Sequence, residues 1–194
     1  MKIFLAAQVP ALVDAFRKYC GDFPGVTVYH GSILDLELDY LVSPANSFAF
    51  MDGGIDLLYT RRFGPELQRT AQAILQRRQV EEIRIGDCLC ASTHCPKLPH
   101  VILAPTMRVP MVLPADTINP FLATRAAVGF VKDMTMKPDE KSIGFPGMGT
   151  GVGQVPYDKC ARQMRAAFEE VLGEAKPFPR TLQEAWDRHY ALTK

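Results

Sequence analysis

The feature that most constrains this chain is a run of alternating glycines between an apolar segment and an amphipathic one. Within residues 144–156, alternating glycines stand at positions 147, 149, 151 and 153. Four alternating glycines cost backbone entropy, and simple connections rarely use them. Close approach of a ligand explains them better than a flexible turn does. Peptide N–H groups freed of side chains form a concave nest for phosphate oxygens, and a helix beginning after the run adds the positive end of its dipole.

Two familiar phosphate-binding motifs do not fit this run. A Walker A loop requires Gly-Lys followed by Ser or Thr, whereas Gly153 is followed by Gln154 and Val155. A Rossmann fingerprint has the spacing G-x-G-x-x-G, whereas these glycines alternate and lie near the end of the chain. The run therefore predicts a phosphate site of a different kind.

A second loop, at residues 43–56, leads from a predicted strand into a predicted helix. Asn46 offers a donor and an acceptor for ribose hydroxyls, and Gly53-Gly54 would let a diphosphate approach the backbone. Asp56 falls in the first turn of the helix. Taken alone, Asn46 also suits a turn, and Asp56 suits a helix start favoured by the dipole. Because ligands of open α/β sheets bind at the strand ends, we expect both loops to share one cleft.

Apolar periodicity predicts a sheet covered by helices on both faces. The predicted strands are 1–7, 27–30, 40–42, 83–91, 100–104 and 142–145, and the predicted helices are 11–19, 54–78 in two parts broken at Gly64-Pro65, 117–134 and 157–172. A length of 194 residues suits one core. We therefore expect a single domain over 1–194, in which residues 174–194 form a C-terminal extension with a short helix packing on the body.

The charge balance indicates which partners to expect. Lys and Arg number 22 and Asp and Glu 21, so no net field draws the chain to nucleic acid or to an anionic membrane. A group of arginines is diluted by glutamates at 66, 81 and 82 and suits a solvated face: Arg61, Arg62, Arg69, Arg77 and Arg78. No apolar run approaches membrane-spanning length, and no signal-peptide pattern is present. We expect a cytoplasmic protein with no nucleic-acid or membrane partner; the oligomeric state is not predicted.

The five cysteines are odd in number and scattered, which argues against a disulfide framework. Cys88, Cys90, His94 and Cys95 offer an alternative interpretation as four zinc ligands. Paired zinc cysteines are usually two to four residues apart and accompanied by a second pair, and this spacing fits poorly. On a strand, Cys88 and Cys90 would point to one face as buried free thiols. The sequence predicts no metal and no cofactor.

Together these motifs resemble the macro domain family. The resemblance rests on residues 31–33, 39–46, 51–56 and 146–153, which occur in the family's order. It spans the chain from the first strand to about Leu172. It implies an α/β protein with a three-layer α/β/α fold, in which helices flank a mixed central sheet and ADP-ribose binds in a surface cleft.

The resemblance also implies roles for individual residues. In members that hydrolyse ADP-ribosyl esters, an Asn closes the first motif and an Asp follows ten residues later, and Asn46 and Asp56 keep that separation. Asn46 would hydrogen-bond the distal ribose, and Asp56 would position or activate a water or a ribose hydroxyl near the anomeric carbon. The other implied ligand-binding residues are Ser32, Ile33, Gly53, Gly54, Gly149, Thr150, Gly151, Val152 and Gly153.

The chain departs from the family pattern at three positions. Ser32 replaces an Asp that hydrogen-bonds the adenine amino group, with Asp35 nearby as a substitute; Ser43 replaces an Asn, and Gly153 replaces an aromatic residue. The expected function is hydrolysis of ADP-ribosyl esters, either mono-ADP-ribosylated acidic residues or O-acetyl-ADP-ribose. The alternatives are a non-catalytic ADP-ribose or nucleotide binding module, and a phosphatase acting on ADP-ribose 1″-phosphate.

Overall fold

The computed structural model describes all 194 residues and contains six β-strands and six α-helices. The strands are β1 (Lys2–Ala7), β2 (Val26–His30), β3 (Tyr40–Ser43), β4 (Leu89–Ser92), β5 (His100–Leu103) and β6 (Ser142–Phe145). The helices are α1 (Pro10–Cys20), α2 (Gly54–Phe63), α3 (Glu66–Arg77), α4 (Asn119–Met134), α5 (Tyr157–Leu172) and α6 (Leu182–Thr193). None of the helices combines the length and apolarity that a membrane span requires.

The six strands form one sheet in the order β2-β1-β6-β3-β5-β4. All neighbouring strands are parallel except β4, which pairs antiparallel with β5 at the edge. In this order β6 lies between β1 and β3. The loops that leave the carboxyl ends of these three central strands therefore emerge side by side.

Alternation along the strands divides the core into two layers. In β1, Ile3 and Leu5 pack into a core beneath α1, α4 and α5, whereas Ala6 belongs to the core beneath α2 and α3. In β3, Val42 faces the first core and Leu41 the second. The result is a three-layer α/β/α fold with a mixed central sheet, as the sequence predicted.

At the opposite edge of the sheet from these loops, Asp39 joins the start of β3 to the start of β6. Its carboxylate accepts hydrogen bonds from the Ser142 backbone N–H and the Ser142 hydroxyl, both at 2.8 Å, and pairs with Lys141 Nζ at 3.0 Å. These hydrogen bonds outweigh the effect of burial and hold the pKa of Asp39 below its usual value. The pairing keeps β3 and β6 in register, and so fixes the relative position of the two loops that follow them.

One predicted strand is wrong over most of its length. Residues 83–91 were expected to form a strand, but β4 begins only at Leu89, and residues 85 and 87 form an isolated bridge. Ile83 anchors a loop instead: its side chain is buried in the core beneath α2 and α3, and its N–H donates to the Ser47 carbonyl at 2.8 Å. Apolar content alone does not distinguish such an anchor from a strand.

The helix predictions fare better. Helix α5 has the predicted bounds, and the pair α2 and α3 is interrupted at Gly64, whose φ of 86° is a left-handed value that favours glycine. Helix α6 forms in the C-terminal extension, and the Gln163 side chain of α5 donates to the Leu192 carbonyl at 2.9 Å.

Candidate functional site

A cleft of about 360 Å³ opens at the carboxyl edge of the sheet. The segments that line it follow β1, β2, β3, β5 and β6. The structure brings together on this cleft the catalytic and ligand-binding residues expected from the sequence, though not Asp35: Ser32, Ile33, Asn46, Gly53, Gly54, Asp56, Gly149, Thr150, Gly151, Val152 and Gly153. Its volume lies within the range of small-molecule binding sites.

The loop after β6 is held by its own backbone. The Val155 N–H donates to the Gly149 carbonyl at 3.1 Å, and the Leu113 N–H donates to the Gly153 carbonyl at 3.0 Å. Gly149 has φ of 72°, and a Cβ on Gly153 would stand 2.5 Å from the Gly149 oxygen. The fold itself therefore requires glycine at 149 and 153.

Two other glycines have no such requirement. At both Gly53 and Gly151, an added Cβ would meet no protein atom within 4 Å, and neither residue has a positive φ. Both residues line the cleft and are exposed. Packing within the protein therefore does not require glycine at these two positions, and the missing side chains leave the backbone uncovered.

The cleft carries no positively charged side chain. Lys, Arg and His are absent from its lining, and its only charged side chains are Asp52 and Asp56. Helix α2 begins at the cleft with Gly53 as its N-cap, so the positive end of its dipole lies there. An anion in this cleft would be bound by peptide N–H groups.

Asp56 lies in the first turn of α2 and is only 7% exposed. The hydroxyl of Ser43, at the end of β3, donates a hydrogen bond to its Oδ1. Burial raises the pKa of Asp56 to about 6; the Ser43 hydrogen bond opposes this rise, and the negative charge of Asp52 adds to it. The carboxylate is therefore mostly ionised at pH 7, and its pKa is close to the value that suits a general base.

The side chain of Asn46 is occupied within its own loop. Its Nδ2 donates to the Phe50 carbonyl at 2.7 Å, and its Oδ1 accepts from the N–H groups of Phe48 and Phe50, both at 3.2 Å. These bonds close the turn at residues 46–50, in which Ala49 has φ of 56°. Contact with a ribose hydroxyl would use the remaining capacity of this amide, and it stays a prediction.

The Ser32 side chain, which also lines the cleft, is likewise engaged within its own segment. Its hydroxyl accepts a hydrogen bond from the Leu34 N–H at 3.3 Å and caps a 3₁₀ turn at Ile33–Asp35. Asp35 is exposed and does not line the cleft. The structure therefore gives no support to Asp35 as a substitute for the family's base-reading carboxylate.

The family model for the Macro domain matches residues 42–164, which is more than half of the chain. This chain belongs to the macro domain family. An uncharacterized protein of Aquifex aeolicus is 35% identical over 139 residues, or 72% of this chain and 78% of that protein. The macrodomain of Oceanobacillus iheyensis with ADP superposes with a TM-score of 0.63 at 21% identity over 84% of each chain. The Trypanosoma brucei macrodomain in complex with ADP-ribose gives 0.52 at 24% identity, covering 72% of this chain and 56% of that one.

Several residues of this macro domain site were missed from the sequence. Ser43 was noted only as a departure from the family, yet it is the hydrogen-bond donor to Asp56. Phe50 lines the cleft while half exposed, and a large aromatic residue in a polar loop was the available signal. Met107 and Pro110 also line the cleft, and their place just after an apolar strand could have indicated it.

None of the cysteines lines the cleft. All five are free thiols, and no group of three or more His, Cys, Asp or Glu side chains is placed to hold a metal ion. Cys88 and Cys90 are partly buried, and burial raises the pKa of Cys88 to about 12 and that of Cys90 to about 11. Thiols with such pKa values are poor nucleophiles at neutral pH.

Proposed function

We propose that this macro domain binds ADP-ribose, or an ADP-ribosyl group carried by a target, and hydrolyses the ester bond at its distal ribose. One observation carries the proposal: a cleft without cations has open space at Gly53 and Gly151 beside bare backbone, and a buried carboxylate at Asp56. Family membership and relatives solved with ADP and with ADP-ribose support the choice of ligand.

In this proposal the diphosphate lies between the two glycine loops. Peptide N–H groups of residues 149–153 and of Gly53-Gly54 donate to its oxygens, helped by the α2 dipole. Asn46 and Asp56 contact the distal ribose, and Ser32 and Ile33 contact the base. Thr150 and Val152 belong to the same phosphate loop. Charge-assisted hydrogen bonds from fixed amides suit a doubly charged group that no lysine or arginine neutralises.

Asp56 supplies the base in the hydrolysis that we propose. A water molecule attacks the anomeric carbon while the Asp56 carboxylate takes its proton. The bond from this carbon to the ester oxygen breaks, and the acyl group leaves as a carboxylate. The Ser43 hydrogen bond orients the carboxylate for this transfer. Proton transfer of this kind contributes roughly 10²–10⁴ in rate.

Ligand binding is tested by thermal unfolding with ADP-ribose, AMP, NAD and ADP in parallel. ADP-ribose at 100 times its dissociation constant is expected to raise the free energy of unfolding by about 2.7 kcal/mol, and to give the largest shift of the four. AMP lacks the diphosphate and is expected to give the smallest. Absence of any stabilisation by ADP-ribose would remove the proposal.

The pH dependence of turnover is set by Asp56. Because burial raises its pKa to about 6, kcat/KM for an ADP-ribosyl ester is expected to rise from pH 5 to pH 7 and then level off, after subtraction of the uncatalysed rate. Asp52→Asn is expected to move the midpoint to lower pH, because the Asp52 charge helps to raise the pKa of Asp56. A flat profile over this range would exclude Asp56 as the base.

A specific observation favours a second candidate function, a non-catalytic ADP-ribose binding module. The Asn46 amide is engaged by Phe48 and Phe50 instead of standing free for substrate. Calorimetry that finds tight ADP-ribose binding, together with no release of ADP-ribose from modified protein or acetyl ester, would select the binding module over the hydrolase.

A further inference from the structure

Lys159 is a buried cation that the proposed chemistry does not use. It lies in the first turn of α5, which begins shortly after the phosphate loop of residues 149–153, and the residue is only 9% exposed. Buried lysines are usually paired with a carboxylate. The Lys159 ammonium instead donates a hydrogen bond to the main-chain carbonyl of Ala115. The function of this lysine therefore depends on what the Ala115 segment does.

Ala115 belongs to a segment that contacts the phosphate loop. We call residues 113–117 the supporting segment; it lies between β5 and α4. The Leu113 N–H donates to the Gly153 carbonyl at 3.0 Å. The Leu113 side chain is buried, and its Cδ1 lies 3.1 Å from the place that a Cβ on Gly153 would take and 3.3 Å from the corresponding place on Gly149. The supporting segment thus packs directly on the phosphate loop.

The hydrogen bond from Leu113 is an external anchor of this loop. The other backbone hydrogen bonds of residues 149–155 stay within the loop, from Gln154 to Gly151 and from Val155 to Gly149. A peptide N–H group stabilises an anion only when it points at the anion, because hydrogen bonds weaken steeply with misalignment. The position of Leu113 therefore affects how the loop presents its N–H groups.

A second buried polar side chain of α5 holds the same segment. Gln163 lies one turn after Lys159 on the same face of the helix and is 1% exposed. Its Nε2 donates to the Thr117 carbonyl at 2.7 Å, and its Oε1 accepts from the Phe121 N–H at 3.3 Å. One face of α5 therefore holds the supporting segment at two points.

We propose that Lys159 is a positioning residue for diphosphate binding. It holds the supporting segment so that Leu113 keeps the phosphate loop in the conformation that binds the anion. Lys159 does not line the cleft, so it acts through these contacts and not by touching the ligand. The inference rests on the proposed function, and it adds a residue outside the cleft that sets the affinity for the diphosphate.

Lys159→Met tests this role, because methionine is an unbranched side chain that cannot donate to Ala115. Its Kd for ADP-ribose is expected to rise about tenfold, the equivalent of one hydrogen bond from a charged donor. The same factor is expected for ADP, and no change is expected for adenosine, which carries no phosphate. Lys159→Ala, measured in parallel, should behave like Lys159→Met, whereas Lys159→Arg keeps a charged donor and should bind ADP-ribose like the native protein.

Steady-state kinetics with an ADP-ribosyl ester give a second measure. In Lys159→Met, KM is expected to rise by the same factor while kcat stays at the native value. The reason is that the diphosphate lies away from the bond that breaks, so its contacts are equal in the ground state and the transition state. A general loss of folded protein would instead lower the apparent kcat.

Hydrogen exchange of the Leu113 N–H, followed by NMR in the ligand-free protein, reports directly on the bond to Gly153. Exchange is expected to be about tenfold faster in Lys159→Met than in the native protein, while the amides of β1 and β6 keep their native rates. An effect of the ammonium charge on bound phosphates would weaken binding without changing this exchange. The two measurements together separate positioning from charge.

Lys132→Met is the matched control. Lys132 also donates to a main-chain carbonyl, that of Val171 at 2.6 Å, and it lies outside the cleft lining. The variant removes the same charge and the same kind of hydrogen bond. It should leave the ADP-ribose affinity and the Leu113 exchange rate at their native values.

Three results would overturn the inference: native ADP-ribose affinity in Lys159→Met, weaker binding without faster exchange at Leu113, and an equal loss of affinity for adenosine. Failure of the native protein to bind ADP-ribose is a different outcome, because it would remove the proposed function. The exchange rate of Leu113 would still decide whether Lys159 holds the supporting segment.

Discussion

Asp56→Asn is expected to lower the turnover of an ADP-ribosyl ester by roughly 10²–10⁴-fold, the contribution of a positioned general base. Asparagine has the same shape and keeps an oxygen that can accept the Ser43 hydrogen bond, so the loop geometry is retained. The Kd for ADP-ribose is therefore expected to stay nearly unchanged. Single-turnover kinetics together with calorimetry measure the two quantities separately.

Unfolding does not explain such a loss. Because burial raises the pKa of Asp56 from its usual 3.8 to about 6, the folded protein binds this proton more tightly than the unfolded chain. The stabilisation from this group is present below pH 3.8 and is lost as pH rises through 6, at most about 3 kcal/mol. At pH 8 the variant, which has no charge to bury, should melt no lower than the native protein.

Asp52→Asn is the matched control for this variant. Asp52 also lines the cleft, but it is exposed and lies outside the proposed proton transfer. Its turnover at pH 8 should stay close to native, where Asp56 is ionised in both proteins. If Asp56→Asn retained native turnover, Asp56 would not be the base and the proposed mechanism would fail; turnover absent from both the native protein and the variant would leave the binding module.

Gly151→Val is expected to weaken ADP-ribose binding by on the order of 100-fold, equivalent to losing about two charge-assisted hydrogen bonds from the phosphate loop. A Cβ at this position meets no protein atom within 4 Å, so the fold can accept the side chain. The new methyl groups would instead fill the space where the diphosphate is proposed to lie. Calorimetry measures the affinity, and thermal unfolding checks that the protein remains folded.

Gly129→Val serves as the control, because this glycine of α4 also has no atom within 4 Å of an added Cβ and lies outside the cleft lining. It should leave ADP-ribose affinity at the native value. Gly153→Val would be uninformative by comparison, since its Cβ would collide with the Gly149 oxygen and disturb the loop itself. Native affinity in Gly151→Val would show that the diphosphate does not pass this loop.

Sequence patterns predicted those elements whose limits are set locally. Strand β6 and helix α5 have the expected bounds, because glycines and prolines at 144–156 separate two clearly periodic segments. The error at 83–91 has a different cause. Ile83 packs in the core beneath α2 and α3, and its N–H donates to the carbonyl of Ser47, which is distant in the chain; no local pattern carries that information.

The sequence predicted where the loops of the candidate site lie, but it did not predict the hydrogen bonds that their side chains make. The two glycine loops were expected at one edge because both follow parallel strands, and they share one cleft. The turn that Asn46 closes on Phe50, and the hydrogen bond from Ser43 to Asp56, depend on loop conformation and on the packing of α2 against β3. The apolar periodicity that predicted the helices and strands contains no information about this turn or this hydrogen bond.

In the proposed complex the anion donors of the cleft are main-chain amides, and this affects how the site is preserved as the sequence changes. Every amino acid except proline supplies the same N–H group, so loop positions that do not require glycine, unlike Gly149 and Gly153, can change their side chain and keep the donor. Under the proposed function, Gly53 and Gly151 are the positions that have to stay without a side chain for the sake of the ligand. Relatives that bind their ligand through the backbone can differ widely in sequence and still bind the same molecule. The glycines are then the residues that best identify the site in an alignment.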